Sequence, residues 1–369
     1  MANSKKKKSN KKIIYSVIFL FALIGITMYC VLKDFKIKNI ISVLSEVKLE
    51  YVGIGLFMIF MYVFLGGISL RESLKGMKTK ITVRKSFVYS SIDYFFSGIT
   101  PSASGGQPFQ LYYMRKDDVS MTKTTIAVLI NLIMYKLALM VLGLFAFIFF
   151  PEILGEAGPL GIILFILGFV INIIAVTVCF MAIYWKSLIS KIGRFGIYKL
   201  AKWKILKNPE SKVISFENKL EKYNQTAHYI KKRIAFKLFI INLIQRICLF
   251  SITYWCFKAM GYSHLSIYYL VSIQIIVSLA VDSMPLPGGV GLSEILLTTL
   301  FALVYPTETI QTSALLLTRG ICFYFLILLT GLFVLINHMR LIFKGKHLDN
   351  EDEDNTSEED ESFEEEVLQ

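Results

Sequence analysis

Long apolar runs separated by short polar segments are the main feature of this 369-residue sequence. A helix needs about 20 apolar residues to cross the roughly 30 Å hydrocarbon core of a bilayer, and several runs reach that length. The pattern therefore predicts an all-α polytopic integral membrane protein with about six full spans. The predicted spans are residues 13–32, 51–70, 124–150, 159–185, 236–258 and 311–337.

Two segments rich in Pro and Gly interrupt the apolar pattern. They are residues 101–108 (PSASGGQP) and residues 285–291 (PLPGGVG). Irregular backbone inside a bilayer leaves N–H and C=O groups without partners, so it is tolerated only where it is buried in protein or lines a wet cavity. A pair of broken apolar segments, one in each half of a chain, indicates the substrate site of a transporter.

Loop charges predict how the chain passes these two breaks, because cytoplasmic loops are enriched in Lys and Arg. Segments 71–85 and 115–123 are both basic, so the chain between them leaves the cytoplasmic face and returns to it. Segments 259–265 and 305–310 are both predicted to be external, so the second broken segment returns to the outer face. The economical interpretation is two re-entrant hairpins, one from each face, as in inverted repeats around a midplane site.

The loop charges are equally compatible with a second interpretation, in which each broken segment forms two full spans instead of a hairpin. The protein would then have about ten spans. Residues 87–99 are short for a span, and this favours a hairpin at the first break. Residues 266–284 are almost long enough to cross, so helix length leaves the second break open.

Both chain ends are predicted to be cytoplasmic, in a multi-pass protein of the cell membrane. Residues 1–12 are basic, which places the N-terminus on the cytoplasmic side. The apolar run that follows is longer than the apolar region of a signal peptide, and no small-x-small cleavage site ends it. This run is therefore predicted to be an uncleaved first span. Residues 186–237 carry fourteen Lys or Arg against three Glu, which also places this loop inside.

The predicted organisation has three parts. Residues 1–12 are a basic N-terminal segment, residues 13–340 are a transmembrane domain, and residues 341–369 are an acidic, disordered tail. Within the domain, the cytoplasmic loop 186–235 contains apolar residues at alternating three- and four-residue steps, which predicts an amphipathic helix. Interleaved Lys and Arg residues upstream are typical of a helix lying among anionic lipid headgroups, and the alternative is a loop that only orients and solubilises.

The net charge of +13 combines a basic body with an acidic tail. Twelve Asp or Glu and no Lys or Arg follow His347, and the rest of the chain has 40 basic and 15 acidic residues. Basic loops that orient helices explain this balance better than nucleic-acid binding, so no nucleic acid is expected. The chain contains no G-x-S-x-G, Walker or H-E-x-x-H motif and no metal-ligand spacing of Cys or His, so no catalytic residue, cofactor or metal is expected.

Ionisable and polar residues inside apolar runs are expensive, and they are the candidate site residues. Glu294 lies in the first turn predicted after the second break, where helix N–H groups favour an anion, and Arg319 is expected to complete a phosphate clamp. Lys136 and Arg246 are interpreted as structural charge pairs. The predicted headgroup or translocation site comprises Asp93, Gly105, Gly106, Gln107, Asp282, Gly288, Gly289, Glu294 and Arg319.

These same residues resemble the signatures of a known family. Residues 97–108 (SGITPSASGGQP), residues 287–294 (PGGVGLSE) and residues 317–319 (LTR) are similar to those of the lysylphosphatidylglycerol synthase transmembrane region. The resemblance covers about residues 13–340. It implies a flippase that moves aminoacylated phosphatidylglycerol to the outer leaflet and gives resistance to cationic peptides. It is also compatible with a homodimer.

Three functions follow as hypotheses. The first is a flippase-like lipid translocase for a phospholipid, expected to be anionic, or another lipid-linked headgroup. The second is a phosphatidylglycerol lysyltransferase, by family label or with a separate soluble transferase, because the tail after the last span leaves no room for the family's transferase domain. The third is a membrane scaffold whose basic loop and acidic tail bind partners.

Overall fold

The computed structural model describes residues 45–100, 105–202, 208–282, 284, 289 and 291–341. The predicted first span, half of the first Pro/Gly break, most of the second break including Gly288, and the acidic tail after Leu341 lie outside these residues. The described residues form helices and no strands. In chain order the helices are α1 (Leu49–Gly76), α2 (Val83–Ile99), α3 (Gly106–Lys116), α4 (Met121–Phe149), α5 (Pro151–Glu156), α6 (Gly158–Tyr184), α7 (Lys186–Lys202), α8 (Pro209–Ala227), α9 (Lys232–Ala259), α10 (Ile267–Val281), α11 (Leu292–Phe301) and α12 (Glu308–Arg319).

Five of these helices are long and apolar enough to cross a membrane. They are α1, α4, α6, α9, and α12 together with its continuation, which forms one helical segment over Glu308–Leu341. The prediction of an all-α polytopic membrane protein is confirmed, and the five predicted spans from residue 51 onward each coincide with one of these helices. The last span differs from the prediction in one respect, because it contains a π-helical turn over Gly320–Phe325.

The helices beside the two breaks are too short to cross. Helices α2 and α3 have 17 and 11 residues, and α10 and α11 have 15 and 10. At 1.5 Å per residue, even the longest of these is about 26 Å, and the shortest is about 15 Å. The chain therefore forms hairpin 1 (α2 and α3) and hairpin 2 (α10 and α11), and the second break does not lie between two full spans.

The two hairpins lie on opposite sides of the helix bundle. Three long helices, α4, α6 and α9, separate them along the chain, and an odd number of crossings changes the side. The ends of α1 and α9 agree with this course, because the Lys48 N–H donates to the Ala259 carbonyl at 2.9 Å and Lys237 pairs with Glu72 at 2.6 Å. Helices α1 and α9 are therefore antiparallel neighbours.

The order span, hairpin, span occurs twice, as α1 to α4 and as α9 to α12. Each hairpin also packs against the last span of the other half. In hairpin 1, the Phe87 ring meets Phe333 beyond α12 edge-to-face at 4.8 Å, and in hairpin 2 a side chain of α10, Leu279, lies over Gly143 of α4. This exchange interlocks the two halves of the bundle through their hairpins.

Helix α10 is the core of its half of the bundle. Its residues are apolar on almost every side, as expected of a helix that is surrounded by others. They include the buried residues Leu270, Ile273, Ile275, Ile276, Val277, Leu279, Ala280 and Val281. Close approach is possible because small residues of α6 face it: a Cβ added to Gly168 would overlap the backbone carbonyl of Leu279.

The loop after α6 contains two helices, α7 and α8. The apolar positions Val213, Leu220 and Ala227 of α8 are buried. Phe216 packs against Gly193 of α7, and Arg194 pairs with Glu217. Helices α7 and α8 therefore form a pair at the end of the bundle where hairpin 1 enters.

The orientation in the membrane gives a direct prediction. In a variant without the five native cysteines, Glu156→Cys at the end of α5 is expected to react with an impermeant maleimide added to intact cells, and Lys191→Cys in α7 is not. Both positions are exposed, so only the side of the membrane separates them. Permeabilised cells are the control, in which both cysteines should react. Labelling of Lys191→Cys in intact cells would reverse the orientation derived from loop charge.

Candidate functional site

Two adjoining polar cavities lie inside the bundle, where the hairpin tips meet the long helices. The first chamber, of about 430 Å³, is lined by residues that include Asp93, Asn131 and Lys136. The second chamber, of about 240 Å³, is lined by residues that include Gln274 and Arg319. The residues common to both are Tyr62, Tyr94, Ser97, Arg246 and Asp282. The chambers are therefore neighbours that meet around one set of side chains.

An ion pair joins the tip of hairpin 2 to the middle of α4. The Lys136 Nζ lies 2.9 Å from the Asp282 carboxylate and also donates to the Asn172 side-chain oxygen at 2.8 Å. Asn172 in turn donates to the Gly168 carbonyl at 2.8 Å. Asp282 directly follows α10, and Lys136 is near the midpoint of α4, so the hairpin ends at about half the depth of the bundle.

A second ion pair joins the other arm of hairpin 2 to α12. The Arg319 Nε donates to Glu294 Oε1 at 2.6 Å, and the same guanidinium donates to the Ser293 hydroxyl. The other oxygen of Glu294 accepts from the Gly291 N–H at 2.5 Å and caps α11. Gly291 has a φ of +91°, which favours glycine at this sharp turn. Glu294 is thus occupied by protein groups on both oxygens.

Arg246 and Asp93 differ from these four charges. Among the described residues, neither has an oppositely charged partner within 4 Å. The Arg246 guanidinium lies over the Tyr135 ring, 3.7 Å from its centroid, and 5.4 Å from that of Tyr62. Its Nε is buried without a hydrogen-bond partner in the described part of the chain. Asp93 accepts a long bond of 3.4 Å from Ser97.

Amide side chains hold the walls of the first chamber together. Gln245 donates to the Tyr62 carbonyl at 2.9 Å and to the Tyr94 hydroxyl, and Asn242 donates to the Ser69 hydroxyl at 2.9 Å. Asn131 of α4 donates to the Ser73 hydroxyl at 2.9 Å. Such interhelical bonds join α1, α2, α4 and α9.

The residues predicted from the sequence fall into three groups. Asp93, Gln107, Asp282 and Arg319, together with Lys136 and Arg246, line the chambers. The backbone residues of the breaks shape the walls: Gly105 donates to the Thr100 hydroxyl at 2.8 Å, Gly106 lies so close to Asp93 that a Cβ would overlap its carboxylate, and Gly289 lies against Val281. Glu294 acts through its pair with Arg319, and Gly288 lies outside the described residues.

Several residues of the site are not predicted from the sequence. Tyr62, Tyr94 and Tyr135 line the cavity, but tyrosine is common in apolar helices and carries no signal of its own. Asn172 and Asn242 do carry a signal, because each is an amide inside an apolar run. Among the described residues, no group of three or more His, Cys, Asp or Glu is arranged to hold a metal ion.

Long apolar helices, two broken hairpins and a charged internal cavity define a polytopic α-helical membrane protein with a central polar site. The chain belongs to the family described as the lysylphosphatidylglycerol synthase TM region, whose sequence model matches residues 13–330. The predicted family is therefore confirmed. The chain is also 22% identical over 339 residues to the UPF0104 membrane protein PH1989 of Pyrococcus horikoshii, an alignment that covers 88% of this chain and 98% of that protein.

Proposed function

We propose that this protein is a flippase-like lipid translocase that moves a phospholipid, or another lipid-linked headgroup, across the cytoplasmic membrane. The observation that carries the proposal is the charged cavity formed where two hairpins from opposite sides of the bundle meet. Membership of the lysylphosphatidylglycerol synthase TM region family supports it, because aminoacylated phosphatidylglycerol is the substrate that this family implies.

A polar headgroup crosses hydrocarbon slowly because it loses its hydration without gaining new partners. The chambers offer such partners at the centre of the bundle, in the form of amides, hydroxyls and charges. Hairpin 2 is held by one ion pair on each arm, Lys136–Asp282 and Glu294–Arg319, with N–O distances of 2.9 and 2.6 Å. Opening and closing of these pairs would let a headgroup reach the chambers from one side at a time.

Transport is tested with purified protein in liposomes that contain fluorescent phosphatidylglycerol, phosphatidylethanolamine or phosphatidylcholine. The wild type is expected to expose inner-leaflet lipid to dithionite faster than empty liposomes for at least one headgroup. Asp93→Asn is expected to slow the transfer of an amine-bearing headgroup about tenfold, because the charge-assisted hydrogen bond from that amine to the Asp93 carboxylate is lost. Arg319→Ala, which leaves Glu294 without its partner, is expected to slow it at least as much.

The matched control is Asp118→Asn, because Asp118 is exposed and lies outside both chambers. Its φ of +62° also suits asparagine. Wild-type protein that is indistinguishable from empty liposomes for every headgroup would contradict the proposed function. Unchanged transport in both Asp93→Asn and Arg319→Ala would place the pathway elsewhere in the molecule.

A further inference from the structure

Six charged side chains lie at the centre of the described bundle, and four of them are paired. Lys136 is paired with Asp282, and Arg319 with Glu294. Each pair is neutral as a unit. The charges left over are one cation, Arg246, and one carboxylate, Asp93, and both line the first chamber.

The environment of Arg246 suits an anion that comes from outside the protein. The Tyr135 ring centroid lies 3.7 Å from the central carbon of the guanidinium, and a guanidinium that packs on a ring keeps the N–H groups at its edge free to donate. Arg246 lines both chambers, and its buried Nε has no acceptor among the described residues. A buried donor of this kind is costly unless a ligand or water satisfies it.

Arg319, the arginine that the sequence reasoning favoured for phosphate, is in a different situation. Its Nε and one terminal nitrogen are already bound to Glu294, and Ser293 accepts a further bond. A phosphate would have to compete with a carboxylate at 2.6 Å. Arg246 has no carboxylate within 4 Å in the described part of the chain, and Asp93 acts on it only across the chamber.

We propose that Arg246 binds the phosphate of the transported lipid, and that Asp93 restricts the site to a singly charged phosphodiester. This inference rests on the proposed function, since it names the chemical group that the same cavity takes. A planar guanidinium binds two phosphate oxygens at once. Asp93 faces the same chamber, and its carboxylate has no cation within 4 Å among the described residues, so it repels a doubly charged phosphomonoester more strongly than a diester.

The test is a binding measurement on the full chain in detergent micelles, by titration calorimetry with water-soluble dihexanoyl lipids. Wild type is expected to bind dihexanoyl phosphatidylglycerol and to bind dihexanoyl phosphatidic acid, the phosphomonoester, at least tenfold more weakly. Arg246→Gln is expected to weaken the binding of phosphatidylglycerol about 30-fold, the effect of losing a charge-assisted bidentate contact. The affinity of Arg246→Lys for phosphatidylglycerol should lie between those of wild type and Arg246→Gln, because an ammonium keeps the positive charge but cannot bind two oxygens as the planar guanidinium does.

The matched control is Arg233→Gln, an exposed arginine at the start of the same helix, which should bind like wild type. In Asp93→Asn the preference for the diester over the monoester should shrink to less than threefold. Inorganic phosphate tests whether the site is specific for a lipid or takes any phosphate anion. If millimolar inorganic phosphate competes for the site as strongly as the lipid does, the assignment of a lipid site is overturned.

Equal affinity of wild type and Arg246→Gln for phosphatidylglycerol would overturn the inference, and the liposome assay would still decide the proposed function by itself. If Arg246→Gln does not fold, Arg246→Lys decides, because wild-type affinity in that variant would exclude a bidentate phosphate contact. Absence of any lipid binding to the wild type also overturns the inference. A role of Arg246 limited to packing on Tyr135 would lower the melting temperature and leave the diester preference of the folded protein unchanged.

Discussion

Lys136→Met is expected to lower the free energy of unfolding by about 3 kcal/mol, because it leaves a carboxylate without its partner inside the bundle. The side chains of Lys136 and Asp282 are only 11% and 16% exposed, so solvent screens the remaining charge poorly. Asn172 also loses the ammonium that it binds at 2.8 Å. The measurement is thermal or denaturant unfolding of the purified protein in one detergent. Asp282→Leu should be destabilising to a similar extent.

The double variant Lys136→Met/Asp282→Leu distinguishes the contribution of the ion pair to stability from the contribution of side-chain packing at the two positions. A buried ion pair that is replaced by apolar side chains of similar size is often tolerated, so the double variant should recover most of the stability that each single variant loses. The expected coupling between the two positions is about 2 kcal/mol. Strictly additive losses would mean that the contact between hairpin 2 and α4 does not depend on this pair. Transport should remain impaired in the double variant, since Asp282 lines both chambers.

Gly168→Ala is expected to have the other large effect on stability. The added methyl group would occupy the space of the Leu279 carbonyl oxygen, and its next neighbours are the Leu279 carbonyl carbon at 3.0 Å and the Ala280 Cα at 3.3 Å. These are backbone atoms of a buried helix, so they cannot rotate away as a side chain would. Overpacking of this kind costs about 1–3 kcal/mol, and we expect the upper end of this range because all of α10 must shift.

Gly53→Ala is the matched control for this substitution. Gly53 lies in a membrane-spanning helix, as Gly168 does, but no atom lies within 4 Å of a Cβ added there. Alanine is the better helix former by about 1 kcal/mol, so Gly53→Ala should be neutral or slightly stabilising. Equal stability of Gly168→Ala and Gly53→Ala would show that α6 and α10 are not in backbone contact. Hairpin 2 is the element expected to respond, through faster proteolysis or hydrogen exchange.

The sequence predicted the spans and the first hairpin for simple physical reasons. Crossing a bilayer requires about 20 apolar residues, so runs of that length are visible without any tertiary information. The 13-residue run at 87–99 was too short to cross, and α2 does end at Ile99. The sequence alone does not decide between a hairpin and two full spans at the second break, because residues 266–284 are apolar for almost a full span. Helix α10 stops at Val281, just before the Pro-rich break, and Asp282 there pairs with Lys136 at half depth, a contact between residues 146 positions apart.

The candidate charges were also visible in the sequence, since each is an expensive group inside an apolar run. The sequence does not show which of these charges pair with each other. Lys136 and Arg246 were both interpreted as structural charges, and Arg319 as the phosphate ligand. The structure distinguishes them: Lys136 and Arg319 have carboxylate partners, and Arg246 lies against Tyr135 with its Nε unpaired. The π-helical turn directly after Arg319 gave no sequence signal, because it is a local change in helix winding within one apolar run.

The sequence by itself therefore determined that this is a polytopic membrane protein of a recognisable family, where most of its spans lie, and which residues are too polar for lipid. Those properties depend on composition and local length. Only the tertiary structure decided that residues beside both breaks line one cavity, which charges neutralise each other, and which arginine of the described site has no carboxylate within 4 Å. Which charged side chains pair depends on the depth and the rotation of helices from distant parts of the chain. Packing contacts such as that between Gly168 and Leu279 determine this depth and rotation.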